Sequence, residues 1–355
     1  MNAHVTRNDL RAWAVGNTFV DTRSVSDAVG RLGFVQIDPI RAPAPAQDLI
    51  LRHRVRGYAV GDADRAYPDS DLEEDVLYAY GLMPRSTQRL VQPRATTARH
   101  SALEKSVLEL VSEAGSLHSR GLDAQLASKS VRNGWGGQSK QTKLALEQLQ
   151  WNGHLRVAHR EGGKRVYARA RSHDPLPSED RIRRLAVVVA ELWAPVLLTT
   201  LRRTVSRIGR RLVGPRCGPS VIQDLLADGS LERHDVAGDT WIWPTSRAKQ
   251  PARDRRVRFL APFDPLVHDR DRFERLWGWA YRFEAYTPPA KRVRGYYALP
   301  LLYGTDVIGW ANASVTDDTL RIDVGFERAA PPRRIFDREL RAETRRFAKF
   351  LGVRD

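Results

Sequence analysis

One arrangement recurs along this chain and limits what it can fold into. A helix-patterned stretch closes on a glycine, and two short strands follow across a tight turn. The first copy runs from Thr142 to His154, with Gly153 as the helix stop. Strands Leu155–Arg160 and Lys164–Tyr167 then flank Glu161-Gly162-Gly163. The second copy starts at Pro219-Ser220, stops at Asp228-Gly229-Ser230, and continues as Leu231–Val236 and Asp239–Trp243. Ahead of the first copy stand Leu103, Val107, Leu110 and Val111 at helical spacing, then a polar, Gly-rich stretch from Ser128 to Lys140. Helix, Gly-rich turn, helix and basic hairpin is the winged-helix order. In such units the second helix commonly enters a groove and the wing meets phosphate. A winged helix used only for packing has the same pattern.

The rest of the chain fits around these copies. Leu10, Trp13, Ala14, then Val25, Ala28, Val29 and Leu32, predict two helices, the second capped by Asp21-Thr22 or Ser24. An acid-rich run from Asp62 to Asp75 precedes the apolar Val76–Met83, which suits a helix N-terminus. Residues from Asp180 to Arg211 read as helical and very basic. From Arg255 the pattern turns to strands: a strand-to-turn segment over Val257–Pro265, then Tyr281–Tyr286, Arg294–Leu302, Asp306–Asn312 and Leu320–Val324, closed by a helix from Asp337 to Leu351. The expected class is α+β: tandem winged-helix units followed by a β-rich, barrel-like domain. The expected units are 1–95, 96–170, 171–250 and 251–355.

Charge narrows the function classes. Fifty-eight Lys and Arg against forty-two Asp and Glu leave a net +16. Arginine dominates, and its planar fork matches phosphate. Such an excess is the footprint of a nucleic-acid partner, or less often of an anionic membrane. A genome rich in Arg codons would give the same excess. No apolar run approaches the ~18 residues of a membrane span, and the N-terminus lacks a signal pattern. A single cysteine, Cys217, permits no intramolecular disulfide and no cysteine-based zinc site. Its default role is a small buried hydrophobe. A cytoplasmic, nucleoid-associated monomer is expected, with no membrane, metal or cofactor.

The stretch Leu32-Gly-Phe-Val-Gln-Ile-Asp-Pro-Ile40 sets two polar side chains in an apolar run. In extended chain Gln36 and Asp38 point the same way and Val35 and Ile37 the other. Pro39 holds Asp38 extended and blocks a continuing strand. On these residues alone, a strand end turned to water is the simpler reading. Elsewhere, no Gly-rich phosphate loop and no His-Glu-x-x-His motif occurs. His268-Asp269-Arg270-Asp271 reads better as a charged network at an interface than as a catalytic group. Lys291-Arg292 before Arg294-Gly-Tyr-Tyr297 mixes cations with aromatics, as a phosphate and sugar contact would. An exposed basic hairpin with core tyrosines reads equally well.

Taken together, several segments resemble the AlkZ/YcaQ-like DNA glycosylases through nearly the whole chain. They are Leu32–Asp38, Glu74 ten residues before Pro84, the 142–167 helix and wing, Leu260–Pro265, Glu274-Arg-Leu276 and Pro289–Pro300. The resemblance implies tandem winged helices forming a basic channel for double-stranded DNA. It implies hydrolysis of the N-glycosidic bond of N7-alkylated purines, including bulky adducts and interstrand crosslinks, by a monofunctional glycosylase. It assigns catalysis to Gln36 and Asp38, the Gln-x-Asp form of the motif. Arg41, Arg52, Arg54, Lys143, Arg165, Lys291, Arg292 and Tyr296 are the expected DNA contacts. Two departures stand out. Tyr78 occupies the usual position of a histidine beside the site, and Trp310 and Asn312 stand where Arg and Asp are expected. The alternatives are a winged-helix regulator that cleaves nothing and a catalytically weak paralogue that binds damaged DNA.

Overall fold

The computed structural model describes residues 5–355 apart from 95–98, 127, 133–136, 173, 175, 215–219, 253–254 and 328. Cys217, Pro219 and residues 133–136 of the Gly-rich stretch therefore lie outside the described residues. The chain opens with α1 (Arg7–Thr18), fixed by a capping box in which Thr6 and Asp9 exchange side-chain and backbone bonds. Ser24 caps α2 (Val25–Leu32), and Gly33, at φ +76°, ends it. There follow β1 (Val35–Gln36), α3 (Ala46–Leu51), α4 (Asp62–Ala66), β2 (Leu72–Val76), β3 (Tyr80–Pro84) and α5 (Arg85–Val91). The acid-rich run is thus only briefly helical. Glu73, Glu74 and Asp75 lie in a strand, buried among arginines, which an N-terminal helix turn could not achieve.

The next stretch holds α6 (Ala102–Ala114), β4 (Ser116–His118), α7 (Ser119–Gln125), β5 (Ser130–Arg132), β6 (Gln138–Lys140), α8 (Gln141–Trp151), β7 (Leu155–Glu161) and β8 (Lys164–Arg169). Then come α9 (Ser178–Leu192), β9 (Val196–Leu197), α10 (Leu198–Val213), α11 (Val221–Ala227), β10 (Leu231–Val236) and β11 (Asp239–Pro244). The expected single helical run from Asp180 to Arg211 is two helices. Between them, Val196 and Leu197 pair with Ile242 and Trp241.

A pattern emerges that the sequence shows only in part. Three sheets run β1-β3-β2, β4-β8-β7 and β10-β11-β9. In each, a short strand is followed by helices and a hairpin, and the short strand pairs with the hairpin's last strand. The same connectivity therefore occurs three times.

The chain closes with β12 (Val257–Phe259), α12 (Arg270–Trp277), β13 (Leu299–Tyr303), β14 (Asp306–Thr316), β15 (Thr319–Phe326) and α13 (Arg333–Leu351). Strands β12-β13-β14-β15 form an antiparallel half-barrel. Tyr281–Tyr286 is not a strand but part of an irregular loop, despite its alternation. The two ends of the chain pack together. Leu10, Ala14 and Val15 share a core with Leu266, Phe273, Leu276 and Trp277.

Candidate active site

The site starts from the way β1 is seated. Val35 and Gln36 face Leu82 and Gly81 of β3. A Cβ at Gly81 would lie 2.3 Å from the Val35 carbonyl and 2.5 Å from the Phe34 ring, so only glycine permits this approach. Ile37 N–H extends the pairing by donating to the Tyr80 carbonyl at 3.0 Å. Pro39 then turns the chain into α3, and the Ile40 N–H donates to Asp38 Oδ1 at 3.0 Å.

Two polar groups are left over on this edge. Gln36 Oε1 is buried and has no hydrogen-bond partner among the described residues. Asp38 is half-buried. Burial pushes its carboxyl above the ordinary range, with the Ile40 N–H pulling partly back, and no described cation pairs with it. The half-barrel supplies a third group. The Tyr297 hydroxyl is buried and unpartnered among the described residues. Burial first, and the Asp38 charge second, hold that phenol far above its usual pKa, so it stays a neutral donor. An amide oxygen and a carboxylate that can both accept, beside an O–H that can donate, suit a water molecule whose proton must be taken.

A family model described as "DNA glycosylase AlkZ-like" matches residues 29–350. The chain belongs to the AlkZ-like DNA glycosylase family. Among solved structures it is similar to the Streptomyces sahachiroi DNA glycosylase AlkZ, at 17% identity over 99% of each chain with a TM-score of 0.67. At that identity the likeness shows a shared fold.

Tyr78, where a histidine is expected, packs against the segment leading into β1. Its ring packs on Phe34 (4.8 Å), Trp193 (4.8 Å) and His268 (4.5 Å), and His268 stacks on Trp193 at 5.2 Å. Burial, together with Arg270 and Arg207, pulls the His268 imidazole down to about 3, so it is neutral in this wall. No described hydrogen bond joins Tyr78 to Gln36 or Asp38.

The expected DNA contacts divide. Arg41, Lys143 and Lys291 are exposed, Tyr296 is 44% exposed, and Arg292 is half-covered with its guanidinium over the Tyr296 ring. Arg165 is partly covered, lying 4.2 Å from the Tyr80 ring centroid and 3.6 Å from Glu147. Arg52 and Arg54 need correction. Arg54 is 2% exposed and forks onto Asp264 at 2.9 and 3.1 Å. Arg52 pairs with buried Glu343 of α13. Both are internal ties, unavailable to a phosphate. Tyr297, which the sequence leaves open between a sugar contact and the core, was not among the expected site residues. The only signal was its place in the Gly-Tyr-Tyr run. Asn312, one of the departures, donates its amide to the Arg294 carbonyl at 2.7 Å and so braces that run.

Proposed function

We propose that this protein is a monofunctional glycosylase that removes N7-alkylated purines from duplex DNA, bulky adducts and interstrand crosslinks included. The observation that carries the reading is the under-satisfied pair at the end of β1: a buried amide oxygen without a described partner, and two residues on a half-buried carboxylate that holds one backbone N–H and no described cation. Both features cost stability, so they call for a chemical reason. Alkylation at N7 makes the purine cationic, and it leaves readily. As the C1′–N9 bond breaks, its electron pair goes to N9 and neutralises the base. The sugar becomes oxocarbenium-like, as in glycoside hydrolysis generally. Asp38 stabilises that cation and accepts a proton from the water that attacks C1′. Gln36 Oε1 accepts the water's other O–H and aims its lone pair. The step needs no lysine nucleophile and no cofactor.

The three repeated units are read as winged helices, within the boundaries 1–95, 96–170 and 171–250, and 251–355 as the closing half-barrel domain. Arg41, Lys143, Arg165, Lys291, Arg292 and Tyr296 are assigned to the DNA backbone and sugar, which fits the net +16. The test is base release from a duplex carrying N7-methylguanine, read as strand breaks after alkali. Breaks above background, abolished by Asp38→Asn, are expected. Equal release by wild type and Asp38→Asn would sink the assignment. A second reading, a slow paralogue that chiefly binds damaged DNA, is favoured by Tyr78 at the histidine position. Tight lesion binding with release lost in wild type itself would select it.

A further inference from the structure

Exposed apolar side chains are gathered in one loop of this molecule. Five large hydrophobic residues stand exposed among the described residues: Tyr286 at 83%, Val293 at 76%, Tyr296, Val315 and Ile335. Three of the five, including the two most exposed, lie between positions 286 and 296. Apolar surface left in water is unfavourable, and a slack loop would fold it inward. This loop is not slack. The buried Glu284 carboxylate accepts the backbone N–H groups of Val293 (3.1 Å), Arg294 (2.8 Å) and Gly295 (3.3 Å). Residues Pro289–Lys291 form a 3-10 turn behind Pro288. Arg292 Nε donates to the Thr287 carbonyl at 2.8 Å.

Arg294 is anchored inward. Its guanidinium pairs with Glu327 and lies 4.9 Å from Trp279 and 5.5 Å from Trp310. Gly295, at φ +128°, leaves no room for a side chain, because its Cβ would meet Asn312 Oδ1 at 2.3 Å. The backbone is therefore preset with Val293 and Tyr286 outward. The partner's charge is also indicated, since Lys291 and Arg292 flank Val293. The partner's position follows from Tyr297, which ends the loop: its ring packs on Phe283 at 5.3 Å and shares one core with Val35 and Ile37 of the Gln36–Asp38 segment.

We propose that the 286–296 loop is a rigid wedge. Val293 and Tyr286 press into the base stack of duplex DNA next to the sugar presented to Asp38, while Lys291 and Arg292 hold the flanking phosphates. Apolar side chains inserted between base steps unstack and kink a duplex, and aromatic faces stack on any base. A wedge opens the strand around C1′ without turning the nucleotide out. That is what a base tethered across both strands requires. The proposal rests on the glycosylase reading, and its test is separable from that reading.

The probe is a duplex with 2-aminopurine beside an uncleavable abasic-site analogue, bound by the full chain carrying Asp38→Asn. Binding should raise 2-aminopurine fluorescence, and adding Val293→Ser and Tyr286→Ser should remove the rise with an unchanged melting temperature. In the otherwise wild-type chain, the same two changes should slow excision from duplex about tenfold and leave excision from single strands unaltered. No fluorescence rise on binding would overturn the wedge even if base release is normal. A rise that persists in the serine variants would overturn it too. So would a concentration-dependent dimer dissolved by those variants, which would make the patch a contact between copies. Loss of base release with the fluorescence response intact would instead remove the enzyme reading and keep the wedge.

Discussion

The two edges of the β1-β3-β2 sheet treat buried acceptors in opposite ways. On β2, each carboxylate has its own arginine. Glu73 takes Arg156 at 3.0 Å, Glu74 takes Arg160 through two bonds, and Asp75 takes Arg94 at 2.7 Å. On the β1 edge, Asp38 receives one backbone N–H and no described cation, and Gln36 Oε1 receives nothing described. A saturated carboxylate can hold two units together but has no capacity left for a substrate. An unsaturated one contributes little to cohesion and keeps its charge for a developing cation. The difference lies in partners supplied from far along the chain: Arg156 and Arg160 come from β7, and β1 faces no such donor among the described residues.

The sharpest way to break this contrast is Asp38→Asn. Excision should fall about 100- to 10,000-fold, the range for losing a general base. The sign for stability runs the other way. A carboxyl raised in the folded state is harder to ionise there than in the unfolded chain, so its charge costs stability once the pH exceeds the unfolded value. At neutral pH the asparagine variant should therefore melt no lower than wild type in calorimetry. A large drop in Tm would put Asp38 in the same class as the β2 carboxylates.

On the other edge, Arg94→Met should cost about 3–5 kcal/mol in urea denaturation, because Asp75 is left buried and unpaired. Adding Asp75→Asn should restore part of that loss. If Arg94→Met left stability untouched, the β2 pairs would not be the ties described here.

Acidification offers a third, smaller contrast. The excision rate should fall as pH drops through a midpoint above 3.8, the ordinary carboxyl value from which Asp38 is raised. The same profile in Asp38→Glu should keep its shape with a displaced midpoint, whereas a flat profile would exclude Asp38 as the titrating base. The smallest effect belongs to the surface. Lys291→Ala and Arg292→Ala should each flatten the slope of log affinity against log salt by about 0.9 for every phosphate no longer neutralised. Unchanged slopes would move the DNA surface away from this loop.

How far the sequence carried depends on how local the cause was. The hairpins at 155–169 and 231–244 were legible because glycines and turn residues dictate them from within. That a strand stops ahead of Pro39 was legible because that cause is local too, but the residues alone suggested a strand end turned to water, and the burial of Gln36 Oε1 was not legible. The first hairpin, β2–β3, was not. Both faces of β2 are buried, and two of its three acids, Glu73 and Glu74, are neutralised by arginines more than eighty residues away at 156 and 160. Nothing in the local pattern distinguishes that from a polar helix start. Arg52 and Arg54 misled for the same reason, since their partners are Glu343 and Asp264. The Tyr281–Tyr286 alternation failed because Glu284 spends its carboxylate on the loop backbone. Its neighbours then have no strand to pair with.

Those two long-range arginine pairs have a consequence for how the protein comes into being. The edge at residues 35–38 leaves the ribosome early, but the guanidiniums of Arg52 and Arg54 are not neutralised until Asp264 and Glu343 have been made, 210 and 291 residues later. Until then the two guanidiniums stay in water, because burying a charge without its counterpart is unfavourable. A chain cut short of Asp264 and Glu343 therefore lacks both counter-charges for the arginines that follow α3.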